Sequence, residues 1–183
     1  MPQAEEERAR EREPDPDDDL VLVRPNRDKA AAKTTKVIVI LLLLVSAALV
    51  AIVTVGGWSK LQGAQAVQIA YVFIYVLMAY YVARWNRGVL PVAAALAIIL
   101  GIFAAVAGPG WFDRDKGGFG HPDALFGGQG LDVNLLGLIT LMIVPVQALL
   151  IAVAMQGFRQ NWHVEVEMPR DVAQRKYGRA AMA

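Results

Sequence analysis

Four apolar windows at 37–55, 65–83, 91–107 and 135–155 set the pattern of this chain, and none of them contains Asp, Glu, Lys, Arg or His. An uncharged run of about 18 or more residues is long enough to cross the hydrocarbon core of a bilayer as a helix. The pattern predicts an all-α membrane protein, a four-transmembrane-helix bundle. A cleaved signal peptide is the competing reading of the first window, but its apolar core would be only ~7–15 residues long after a short basic start. Here 36 residues precede the window, which favours an uncleaved span. The link Arg84-Trp85-Asn86-Arg87-Gly88 is long enough only to reverse direction, so the second and third spans should form an antiparallel hairpin.

Polar positions inside the windows then say which sides face one another. At 100° per residue, Gln65, Gln68, Tyr75, Ala79 and Ala83 share one side of the second span, with Tyr71 at its margin; Ile69, Phe73 and Leu77 lie opposite. Amides facing lipid lack partners, so the glutamine side should face other helices or a wet cleft. Together with Gln147 at mid-depth of the fourth span, Gln65, Gln68, Tyr71 and Tyr75 form the candidate polar cluster or ligand cleft. The first span has a small-residue face at Ser46, Ala47, Ala51 and Thr54. In the third span Ala93, Ala97, Gly101 and Ala105 recur every four residues, a spacing that lets backbones approach closely. Ala148 and Ala152 mark the expected packing side of the fourth span, which Pro145 should kink.

Outside the windows, 1–36 is predicted to be a disordered tail, acidic and then basic. Glu5 to Asp19 carries nine acids against three arginines, too little apolar surface to offset the entropy of ordering. Its one interruption is the apolar run Leu20-Val21-Leu22-Val23, read as able to dock on a partner or a membrane surface. The basic tail 157–183 opens on Phe158, Arg159 and Trp162, an interfacial signature, and has the makings of a short helix after Pro169. The longest connection, 111–134, is rich in glycine, and loops longer than ~12–15 residues tend to be functional or disordered. Its aromatics Trp111, Phe112, Phe119 and Phe126 make it the candidate partner surface of a lid, and Asp132 or Asn134 can cap the last helix.

Charge adds direction. The terminal segments and the 84–88 turn hold fifteen lysines and arginines, the other two connections three. That asymmetry places both termini in the cytoplasm and the long loop outside, at the cell membrane. A net charge of +1 gives no argument for nucleic acid.

Composition then limits the chemistry. There is no cysteine, which excludes disulfides, thiolate metal sites and thiol catalysis. The two histidines, His121 and His163, fall on opposite sides of the bilayer and cannot both ligate one haem. Ion-coupled transport normally needs an ionisable group within the spans. There is no H-E-x-x-H or G-x-x-x-x-G-K motif, Ser59-Lys60 are adjacent on a loop, and Asp113, Asp115 and Gly117 only faintly echo a calcium loop. No metal or cofactor is expected. The expectation is a non-enzymatic accessory, assembly or scaffolding subunit whose partners are membrane lipids and other membrane subunits or itself. The alternative is a homo-oligomeric channel or small transporter using the polar side of the second span.

Overall fold

The computed structural model describes residues 20–113 and 121–177. Four helices are long and apolar enough to cross a membrane: α1 (Ala30–Gly56), α2 (Gln65–Ala83), α3 (Val89–Asp113) and α4 (Val133–Arg159). Three of them outrun their apolar windows. The run Ala30-Ala31-Ala32-Lys33 is strongly helix-forming, so α1 begins seven residues before its window. At 27 residues it is ~40 Å long, against ~30 Å for a bilayer core. α3 continues through Gly108-Pro109-Gly110, where the sequence reading ended the span. Packing overrides the weak local propensity there: Gly108 is the close-approach point for Leu141, and Trp111, one turn on, is only 3% exposed.

The chain falls into two compact units, each described by itself. The division lies at Lys29 and Trp162. In the terminal unit, β1 (Leu20–Val23) pairs antiparallel with β2 (Val166–Pro169), Leu20 opposite Pro169 and Val23 opposite Val166. Pro169 ends the ladder because it has no N–H to give, and α5 (Arg170–Tyr177) follows. Asp171 in the first turn of α5 and Arg175 and Lys176 in its last complement the helix dipole. The Arg24 guanidinium donates to Glu165 Oε1 at 2.6 and 2.9 Å, an exposed pair of little net worth. Burial and neighbouring Arg24 hold the Arg27 pKa below its ordinary value, partly offset by Glu165. Residues 20–36, expected to be disordered, thus carry a strand and the start of α1. Tail-wide composition hid a four-residue strand whose partner lies more than 140 residues away. The acidic stretch before Leu20 lies outside the described residues.

In the helical unit α1 and α4 are central. α1 packs along α2 and α4, and α3 packs along α4, whereas α2 and α3 barely touch beyond their short link. The small-residue row of α3 explains its packing along α4. Ala93, Ala97, Ala104 and Gly108 are buried, and Gly101 lies against Gln147, but Ala105 is exposed. Steps of four residues overshoot a 3.6-residue turn by 40°, so after three steps the row has rotated ~120° off the contact. Ala148 and Ala152 of α4 are also exposed, contrary to expectation. The buried row runs Leu136, Thr140, Ile143, Gln147, Leu150, Ala154 and Gly157, at alternating four- and three-residue steps that stay on one face. α4 continues through Pro145.

Where α1 ends and α2 begins, at what we call the loop end, residues 121–132 are fastened to the bundle. The last carbonyls of a helix have no intrahelical donor. Leu125 N–H donates to Val55 O (3.0 Å) and Leu131 N–H to Gly56 O (2.9 Å). Ser59 and Asp123 exchange two further bonds, at 2.8 and 3.3 Å. Gly130 passes so close to the carbonyls of Gly56 and Pro122 that no side chain fits. Asp132 then caps α4, its Oδ1 accepting from the N–H groups of Asn134 (2.8 Å) and Leu135 (3.2 Å).

Candidate functional site

α2 turns as its wheel predicts. Tyr71, Tyr75, Met78, Ala79 and Val82 are buried, while Phe73, at 71% exposed, faces away from the bundle. Ala83, placed on the inner side by the wheel, is exposed.

The five candidate polar residues do not form one site. They divide by depth. Deep in the bundle Tyr75 OH donates to Gln147 Oε1 (3.0 Å), Gln147 Nε2 to Ser46 Oγ (2.9 Å), and Ser46 Oγ to the Leu42 carbonyl (2.7 Å). This chain ties α2, α4 and α1 together, and Gln147 is 1% exposed. At the loop end, Thr54 Oγ1 lies 2.7 Å from Val50 O and 2.6 Å from the Gln68 side-chain amide. One hydroxyl proton cannot serve two acceptors. The two contacts are compatible when Thr54 donates to Val50 O and the Gln68 NH2 donates to Thr54. Gln65 Nε2 donates to the Trp58 carbonyl (3.1 Å), pinning the start of α2 to the turn Trp58–Lys60. Tyr71 stands between the two groups, edge-on to Tyr75 at 5.7 Å. Among the described residues, no buried side-chain nitrogen or oxygen lacks a hydrogen-bond partner.

Ser46 and Thr54 complete these networks, and the sequence signal for them is depth. α1 and α2 run in opposite directions, so Thr54 and Gln68 meet near the loop end, and Ser46, Tyr75 and Gln147 meet halfway.

Because α2 and α3 barely touch, a cavity of about 560 Å³ lies between them, backed by α1 and α4. Val53, Leu100, Phe103, Val106 and Ile143 dominate its wall. Its polar members are Gln68, bonded to Thr54; Thr140, whose hydroxyl donates to Leu136 O (2.7 Å); and Tyr71.

The candidate partner surface on the long connection also divides. Trp111 is core, seated between Gly57 and Gly137, and Phe112 lies against Gly137 within α3. Both belong to the helix that the sequence reading stopped too early. Phe119 lies outside the described residues, while Phe126, at 87% exposed, projects from the loop. At the opposite end of the bundle Trp162, expected at the membrane interface, is fully buried. It stacks edge-on against Trp85 at 5.3 Å and donates to Gln160 Oε1 (2.9 Å); Lys36 Nζ lies 4.1 Å over the Trp85 ring. Comparison with protein-family models, with curated proteins and with solved structures finds no match to this chain.

Proposed function

We propose that this chain is a multi-pass integral membrane protein of the cell membrane that acts by binding, as a non-enzymatic accessory, assembly or scaffolding subunit of a larger membrane complex. One observation supports this reading over a pore. Ser46, Tyr75 and Gln147 are engaged with one another, Thr54 and Thr140 bond to carbonyls of their own helices, and the wall of the space left between the helices is mostly apolar. A water path needs polar groups facing a channel, whereas here Ser46, Tyr75 and Gln147 join three helices. Interhelical hydrogen bonds of this kind contribute ~0.6 kcal/mol on average and hold a bundle in one register. The lysine and arginine asymmetry supports cytoplasmic termini. Phe126 then stands on the external face, a bare aromatic of the kind enriched at interfaces.

Proteoliposome flux separates the two readings. A structural role for Gln68 predicts no solute flux above protein-free vesicles, with Gln68→Leu changing only stability. Flux that falls in Gln68→Leu would establish the channel instead.

A further inference from the structure

We propose that the cavity between α2 and α3 binds one uncharged, membrane-dissolved molecule carrying a carbonyl oxygen, which accepts a hydrogen bond from the Tyr71 hydroxyl. Tyr71 is 8% exposed, and its hydroxyl has no hydrogen-bond partner among the described residues. No buried side-chain oxygen among those residues is left unpartnered, so this hydroxyl must reach open space; the space Tyr71 borders is the cavity. A volume of about 560 Å³ falls within the ~300–1,000 Å³ of small-molecule sites, mostly apolar with few polar groups.

Three observations define the occupant. Gln68 and Thr140, the other polar residues of the wall, each already hold a bond to the bundle and the remaining lining is apolar, which favours a mostly apolar occupant over water needing two to four polar partners. A bare acyl chain would leave the hydroxyl without an acceptor in hydrocarbon. With the first residue of α2 set at the hydrocarbon boundary, depth excludes the ester carbonyl of a glycerolipid. α2 is ~28 Å long, close to the ~30 Å hydrocarbon thickness, and Tyr71 lies six residues, ~9 Å, inside its first residue. Headgroups hold ester carbonyls near the boundary, whereas a ketone or quinone without a charged headgroup reaches that depth.

The probe is a benzophenone bearing a decyl chain, whose carbonyl both accepts a hydrogen bond and, under ultraviolet light, inserts into neighbouring C–H bonds. With the full chain in nanodiscs, labelling should be saturable and map to α2 and α3 around Tyr71 and Phe103. Tyr71→Phe, which removes no contact within the protein, should weaken half-saturation about 3- to 10-fold, the effect of one hydrogen bond. Ala107→Trp, at an exposed position on the cavity rim, should abolish cavity labelling. A phosphatidylcholine with a diazirine in its acyl chain should label the outer faces without saturating. Unsaturable benzophenone labelling, indifference to Tyr71→Phe, or equally saturable cavity labelling by the phosphatidylcholine would each overturn the proposal. The inference rests on the chain spanning a bilayer, which cysteine labelling of its topology tests separately.

Discussion

At the scale of residues, Gln147 is the pivot of the molecule. Its amide accepts from Tyr75 and donates to Ser46, so three helices depend on one side chain. Gln147→Leu strands the buried Tyr75 hydroxyl and removes the donor to Ser46, which keeps its own bond to Leu42 O, and we expect a loss of about 1–3 kcal/mol in unfolding from mild detergent. Tyr75→Phe removes one bond without altering shape. The Tyr75→Phe/Gln147→Leu cycle should give a coupling of ~0.6 kcal/mol, with ~1.7 as the upper bound seen for such pairs. Additive single mutants would contradict the network. Much of this was legible beforehand, because the helical wheel of 65–83 separates Gln65, Gln68 and Tyr75 from Phe73 and Leu77. Their division into two networks was not, because a wheel discards depth.

Among the elements, the connections carry the lesson. Trp111 and Phe112 read as loop aromatics because Gly108-Pro109-Gly110 is a strong breaker signal. In the fold, burial of Trp111 between Gly57 and Gly137 outweighs that local preference. Gly130 is the tightest point of the remaining loop. Gly130→Ala sets a methyl group against backbone carbonyls that have no rotamer to escape into. We expect it to cost about 1–3 kcal/mol and to open residues 121–132 to limited proteolysis. Unchanged protease resistance would show that the loop is not held by Val55, Gly56 and Ser59. The pairing of Leu20–Val23 with Val166–Pro169 was beyond sequence reading for a different reason. Periodicity recognises a strand, but nothing local names a partner at the far end of the chain.

At the largest scale, the helical unit is four apolar helices in the contact order α2, α1, α4, α3, with a cavity between α2 and α3. That gap runs against the hairpin logic of the sequence, in which neighbours in the chain are expected to be neighbours in space. The small-residue face of α3 fits α4 more closely than it fits α2. Orientation rests on charge alone and has a direct readout, because the chain has no native cysteine. Single cysteines at Phe126 and Asn86 should react with an impermeant maleimide from outside and from inside respectively; the reverse would invert the topology. The central claim, that the chain works as a subunit by binding, is tested most directly by gentle extraction in a mild detergent with identification of what remains attached. The account predicts a different membrane protein in stoichiometric amount, its retention weakened by Phe126→Asp. A chain that emerges as a solitary monomer under every mild condition would contradict it.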